Sequence, residues 1–170
     1  MSDVLAGKKI LIVDDEPDVL ETLKELLDMC VIDSAPDFTT AKQFLKNKSY
    51  DAAILDIMGV NGYDLLELTE EKGTPALMLT AHALSPDHLV GTIKKGAYSY
   101  IPKHEMINIF GYLAEVITAR EEGRQKPKNW FKKLMPYFDK KFGSGWENEQ
   151  KEFLKDFGLT HSREELEKIL

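Results

Sequence analysis

The sequence predicts an α/β protein: a doubly wound, five-stranded parallel sheet with helices on both faces, followed by a small helical extension. Three observations carry that expectation. Short, continuously apolar runs recur along the first part of the chain, as strands buried on both faces require. Amphipathic stretches at helical spacing alternate with them. An apolar fraction of 43% supplies enough side chains for a sizeable core.

In chain order, Lys9 to Val13 is a β-branched strand, and Val19, Leu20, Leu23, Leu26 and Leu27 then fall at helical spacing. Pro17 suits the first turn of that helix, with Asp15 or Glu16 as cap or dipole partner. Val31 to Ala35 is the second strand, Thr40 to Leu45 a short helix, Ala52 to Leu55 the third strand and Tyr63 to Leu68 a helix. Ala76 to Leu79 is the fourth strand, and Pro86 to Lys95 a helix ended by Gly96. Tyr98 to Ile101 is the fifth strand, after which Met106, Ile109, Phe110, Leu113, Val116 and Ile117 draw one helical face. Five strands alternating with five helices predict the layered parallel architecture.

The 170 residues carry 22 basic and 29 acidic side chains, a net charge of −7. With 9% aromatics as well, composition excludes a wholly disordered, collagen-like or low-complexity chain. No apolar run nears the roughly 20 residues of a membrane span. The first run stops at Val13 and meets Asp14-Asp15-Glu16, where a signal peptide needs small cleavable residues. A cytoplasmic location is therefore expected, and the single cysteine, Cys30, agrees with a reducing compartment. At helical-end spacing Cys30 reads as a small buried hydrophobe. Charge is uneven: residues 1–125 hold 12 basic and 21 acidic side chains, residues 126–170 hold 10 and 8. The polar Glu121 to Lys128 stretch, with its Gly and Pro, marks a boundary between a main domain (1–125) and a helical C-terminal extension (126–170).

Ligands of open α/β sheets sit beyond the carboxyl ends of the strands. Asp14 and Asp15 follow the first strand, Asp56 the third, Thr80 the fourth, and Lys103 comes shortly after the fifth. Three carboxylates on one rim repel one another unless a cation joins them. Oxygen-only ligands suit Mg²⁺, and a carboxylate there can attack a phosphoryl group to give an aspartyl phosphate. Lys103 and the metal would neutralise the transferring oxygens, and Thr80 could hydrogen-bond one of them.

Lys9-Ile10-Leu11-Ile12-Val13-Asp14-Asp15-Glu16, then Ile54-Leu55-Asp56, Leu79-Thr80-Ala81 and Gly96-Ala97-Tyr98-Ser99-Tyr100-Ile101-Pro102-Lys103 resemble a response-regulator receiver domain over about residues 8–120. The resemblance implies the flavodoxin-like, CheY-like fold, with Asp56 as phosphoacceptor. It implies Mg²⁺ held by Asp14, Asp15, Asp56 and the backbone carbonyl of Met58. It also implies Thr80 with Ala81 as the phosphate sensor, Lys103 as its ion-pair partner, and Tyr100 as the switch aromatic. The implied donor is a sensor histidine kinase or phosphotransfer protein. The implied readout is a surface change over Pro86 to Ile117, with homodimerisation through that face or through the tail as a candidate output. The chain would then be a signalling module that assists its own phosphorylation and dephosphorylation, not an enzyme. Two features depart from the family pattern: Gly62 stands six residues beyond Asp56 where a glycine eight beyond is usual, and Pro102 precedes Lys103 rather than following it.

Other readings compete. Asp14-Asp15 alone would cap a helix, Asp56 alone would begin a turn, and Tyr100 alone would be packing. His82, His88, His104 and His161 lack metal-ligand spacing and default to surface or loop histidines. No Gly-x-Gly-x-x-Gly turn follows the first strand, which removes a dinucleotide-binding reading. A Mg²⁺-dependent phosphohydrolase with an aspartyl-phosphate intermediate would usually place a second Asp where Met58 stands. A phosphorylation-independent pseudo-receiver would not need the full acid, Thr and Lys set.

In the extension, Lys126 to Phe142 mixes six lysines with Trp130, Phe131, Tyr137 and Phe138. Asn129 would start a short helix that Pro136 interrupts. Gly143-Ser144-Gly145 reads as a flexible break, and Glu147 to Phe157 as a helix with Phe153, Leu154 and Phe157 on one face, capped by Gly158. Ser162 and Glu165 form a capping box for a last helix with Leu166, Ile169 and Leu170. DNA binding is the lesser expectation, because no recognition helix can follow that last one. A dimerising or partner-docking tail is preferred, since apolar faces this small are hard to bury alone.

Overall fold

The computed structural model describes residues 4–81, 85–143 and 145–151. Five parallel strands, β1 Lys9–Val13, β2 Val31–Ala35, β3 Ala52–Asp56, β4 Ala76–Thr80 and β5 Ser99–Pro102, form one sheet in the order β2-β1-β3-β4-β5. The connecting helices are α1 Pro17–Leu26, α2 Phe38–Asn47, α3 Gly62–Glu71 and α4 Pro86–Lys94. A 3₁₀ turn over Lys103–Asn108 leads from β5 into α5 Ile109–Glu121. Right-handed crossovers put α1 and α5 on one face and α2, α3 and α4 on the other. The predicted doubly wound sheet is therefore the fold observed. β3 and β4 are buried at every residue, as strands covered on both sides must be.

Local chemistry sets the helix starts. Pro17 stands in the first turn of α1, the Asp37 carboxylate accepts the Thr40 N–H at 2.8 Å to begin α2, and the Ser85 hydroxyl accepts the His88 N–H at 3.1 Å to begin α4. Two strands run one residue beyond their apolar runs. Register pairs Asp56 with Leu79 and Thr80 with Pro102, so both residues are placed by strand pairing rather than by loops.

The turn after β3 is held by glycine. A Cβ at Gly62 would lie 2.3 Å from the Asp56 carbonyl oxygen and 2.8 Å from the Ile57 Cα, and backbone atoms cannot step aside cheaply. Gly62→Ala should therefore cost about 1–3 kcal/mol, read as a lowered urea midpoint. An unchanged midpoint would mean that the loop re-routes freely.

The extension folds back on the sheet. Helix α6, Asn129–Phe142, runs straight through Pro136 instead of being interrupted there, which corrects the sequence expectation. Pro136 is exposed, so water can serve the carbonyl it leaves without a partner, while buried Trp130, Phe131, Leu134, Met135 and Phe138 hold the opposite side. Gly143 (φ +90°) and Gly145 (φ +81°) then turn the chain into α7, Trp146–Glu149. The expected break is thus a reversal that returns Trp146 to the core, where its indole N–H donates to Asp139 Oδ1 at 2.9 Å. The expected continuation to Phe157, the Gly158 cap, the Ser162–Glu165 box and the helix with Leu166, Ile169 and Leu170 lie outside the described residues.

Helix α6 lies against β5 at the edge of the sheet, beside α5. The Phe138 ring sits 6.1 Å from that of Tyr100 on β5, and Tyr137 sits 5.0 Å from His104. Lys133 reaches Glu115 of α5 at 3.6 Å, and Gln150 donates to Asp87 of α4 at 2.7 Å. Covering an edge strand removes its unpaired backbone groups from intermolecular pairing. The face that the sequence offers for dimerisation, Pro86 to Ile117, is in part occupied by the chain's own helix. Cys30 is half-buried, its Sγ 3.4 Å from the Leu5 carbonyl oxygen.

Candidate functional site

Four charged side chains meet at the carboxyl ends of β1, β3 and β5. Asp14 follows β1, Glu16 precedes α1, Asp56 ends β3, and Lys103 opens the turn after β5. The Lys103 Nζ lies 2.9 Å from Asp14 Oδ2, 3.0 Å from Glu16 Oε1 and 3.3 Å from Asp56 Oδ1. Asp14 and Asp56 are buried, at 1% and 5% exposure. Asp14 Oδ1 also accepts the Glu16 N–H at 2.9 Å, which fixes the start of the loop into α1. Lys103 enters this pocket although Pro102 stands before it.

Asp15 is exposed beside the pocket, and Gly59 lies against it: a Cβ at position 59 would fall 2.5 Å from Asp15 Oδ2, and its φ is +84°. Only glycine lets the loop after β3 approach so closely. Met58 turns its side chain to solvent, 63% exposed. Thr80 is buried at the end of β4, and Ala81 is exposed just beyond it. Tyr100 is not in the pocket. It is fully buried in the middle of β5, its hydroxyl 2.7 Å from His88 Nδ1.

Sequence reasoning missed three contributions. Glu16, expected as a cap or dipole partner, occupies the N-cap position of α1 without a side-chain cap bond and turns to Lys103. Gly59 and Gly62 shape the loop, and their only sequence signal was the shortened spacing after Asp56. His88 corrects the surface default: it is half-buried on α4, hydrogen-bonded to Tyr63 through Nε2 and to Tyr100 through Nδ1. His104 is exposed with its ring against Tyr137, and His82 and His161 lie outside the described residues.

The family model described as the response regulator receiver domain matches residues 10–110. The chain belongs to the response regulator receiver family. It is 41% identical over 100 residues to the transcriptional regulatory protein CpxR of Klebsiella pneumoniae, a match spanning 56% of this chain and 42% of CpxR. To the response regulator protein PilR of Pseudomonas aeruginosa it is 31% identical over 105 residues, 58% of this chain and 23% of PilR. The chain thus spans less than half the length of either relative. A CheY-like receiver domain protein from Methanospirillum hungatei superposes with a TM-score of 0.63 at 24% identity, over 69% of this chain and 99% of that one, a likeness of fold.

The electrostatics of the receiver pocket follow from burial and crowding. Burial, then the Asp14 charge, pushes the Asp56 carboxyl up from 3.8 to about 6 against the opposing pull of Lys103. Burial also raises Asp14, although the Glu16 N–H and Lys103 favour its anion. For Lys103, burial disfavours the ammonium, but hydrogen bonds to Asp14 and Glu16 and the charge of Asp56 outweigh it and raise the group. The carboxyl oxygens of Asp14, Asp15 and Glu16 come within 4.8 Å of one another. Such a hard-oxygen set fits Mg²⁺, and the Asp56 carboxylate faces it across the Lys103 Nζ that it shares with Asp14.

Asp56 yields a signed pH prediction. With its folded value above its unfolded one, the native state binds more protons between about pH 4 and 6, so stability falls as pH rises through that window and the cost persists above it. The full difference corresponds to about 3 kcal/mol, and water at the mouth of the pocket reduces it to about 1–2 kcal/mol. Asp56→Asn should therefore stabilise the metal-free protein by about 1–2 kcal/mol at neutral pH, with the gain vanishing near pH 4. Urea denaturation at the two pH values measures both, and a destabilised variant at neutral pH would contradict the electrostatic account.

Proposed function

We propose that Asp56 accepts a phosphoryl group from the phosphohistidine of a sensor histidine kinase or phosphotransfer protein, and that the outcome is a change in protein–protein association. The carriage of Lys103 Nζ between Asp14 and Asp56 supports this most directly, because it sets a fixed cation beside the attacking oxygen. In the transfer a carboxylate oxygen of Asp56 bonds to phosphorus, the P–N bond breaks, and the imidazole leaves with a proton. Mg²⁺, when bound, supplies charge neutralisation for the transferring oxygens. Asp14 and Asp15 would hold it, with Asp56 and the Met58 carbonyl. Thr80 would donate its hydroxyl to a phosphoryl oxygen, with Ala81 beside it, and Lys103 would pair with another. Tyr100 would respond to that change.

On this reading the chain is a cytoplasmic signalling module rather than an enzyme. Among the described residues no helix is long and apolar enough to cross a membrane. The phosphohydrolase and pseudo-receiver alternatives are weaker: Met58 stands where the hydrolase would need its acid, and the intact pocket is wasted on a scaffold. The transcriptional role in CpxR's name belongs to that protein. DNA contact stays the lesser reading, because the aromatic side chains of α6 are spent on the receiver's own edge.

Acetyl phosphate with Mg²⁺ should add one acid-stable, base-labile phosphoryl group to the wild-type chain and none to Asp56→Asn, read by intact mass. Labelling that survives in the variant overturns the acceptor, and steady turnover of a small phosphate ester would favour the hydrolase.

A further inference from the structure

We propose that α6 is a releasable cover over the β5 edge, and that its docking is set through Lys103 by the state of the Asp56 pocket; the coupling rests on the receiver reading above. Tyr100 on β5, with Lys103 and His104 in the turn that follows it, places the two sites on one short piece of chain. Lys103 points into the pocket, held by Asp14, Glu16 and Asp56. Tyr100, three residues before it, lies under Phe138 of α6 with its hydroxyl held by His88. His104, the next residue, lies against Tyr137 of α6. Lys103 is thus bracketed by two α6 contacts.

A phosphoryl group on Asp56 brings about −1.5 to −2 charges and three strong acceptor oxygens in place of a single carboxylate charge. The Lys103 ammonium, shared among three acids, must then re-pair. That re-pairing acts within residues 100–104, the same short segment that carries the Tyr100 and His104 rings on which α6 rests.

Helix α6 is suited to leave. Its 14 residues are marginal as an isolated helix, and Pro136 removes one hydrogen bond from its ladder. Its ion pair to α5 joins Lys133 and Glu115 side chains that are 55% and 30% exposed, which adds little hold. Docking depends on the aromatic cluster, and so on the position of β5.

The full chain reports on this directly, because both of its tryptophans, Trp130 and Trp146, sit in α6 and α7. Beryllofluoride, which stands in for a phosphoryl group on a carboxylate, is added with Mg²⁺. Hydrogen exchange of α6 amides should then rise on the order of tenfold, with red-shifted tryptophan emission and unchanged protection in β1 and β3. Tyr137→Ala, which loosens α6 at His104 and leaves the pocket untouched, should by reciprocity tighten beryllofluoride binding in proportion to the α6 it undocks, up to the same factor on the order of tenfold. A chain that takes up the phosphoryl group with α6 exchange unchanged, or a Tyr137→Ala chain whose tryptophan emission shows α6 undocked while its affinity is unchanged, overturns the coupling. If acetyl phosphate adds no group to the wild type, the receiver reading fails instead, and Tyr137→Ala alone judges the cover. Faster α6 exchange with β1 and β3 unchanged supports a releasable helix, and α6 exchanging only together with those strands in both chains overturns it.

Discussion

Lys103→Met should destabilise the metal-free protein by about 3–4 kcal/mol near neutral pH, the cost of leaving buried carboxylates without their cation. Methionine keeps most of the apolar stem, so the change isolates the charge. In the wild type one ammonium serves Asp14, Glu16 and Asp56 at 2.9–3.3 Å, and two of those acids are almost fully buried. The Lys103 group is raised above its ordinary 10.5, so its stabilising contribution is present throughout the range below that value and is lost only in strong alkali. The loss in the variant has its own pH dependence. Without Lys103 the Asp56 carboxyl, already near 6, rises further, so by about pH 4.5 it carries a proton and no longer repels Asp14. The difference between variant and wild type should then shrink to about 1 kcal/mol or less. Millimolar Mg²⁺ at neutral pH should narrow it as well, since a divalent ion neutralises the same oxygens. Urea midpoints by circular dichroism at the two pH values, with and without Mg²⁺, give all three comparisons. An equal loss at both pH values would assign the effect to packing of the stem.

The pocket's position was legible because each of its members stands at a strand's carboxyl end, and short apolar runs mark those ends well. Asp14, Asp56 and Lys103 could be placed on one rim from the alternation of strands and helices alone. What could not be read was how the rim is finished. Glu16 is adjacent to the start of α1, where a dipole partner is the ordinary expectation; only the fold brings Lys103, 87 residues away in sequence, to its carboxylate. Gly59 and Gly62 work by what they lack, a Cβ where Asp15 and the Asp56 carbonyl approach, and a missing atom leaves no pattern in composition or periodicity. His88 needed knowledge that α4 turns it towards Tyr100, a tertiary fact. Helix α6 shows the same limit in the other direction. Proline inside a helix argues for a break on local grounds, and that local cost was overridden by aromatic anchors on the face opposite Pro136. The sequence showed those aromatics and their spacing, but not the uncovered edge of β5 that receives them.

Phe138→Ala tests how strongly that edge holds its helix. Phe138 is fully buried and its ring lies 5.6–6.2 Å from those of Tyr100, Phe131, Tyr137, Phe142 and Trp146, stacked almost parallel on Phe142 at 4°. Truncating such a side chain costs about 3–5 kcal/mol where the surroundings cannot collapse. The sheet is not obliged to absorb that cost. Helix α6 is joined to the rest of the chain through the polar 122–128 stretch, so the variant can undock it and keep β1 to β5 with their own core. The expected result is loss of the helix's attachment with the sheet retained: tryptophan emission shifts to the red and α6 amides lose protection, while β1 and β3 amides and most far-ultraviolet ellipticity persist. The slope of the main urea transition should fall too, because less surface remains to be exposed when the sheet unfolds. If the variant instead unfolds in one step, with tryptophan emission and β3 protection lost together at a midpoint lowered by the full amount, α6 is an integral layer of the core.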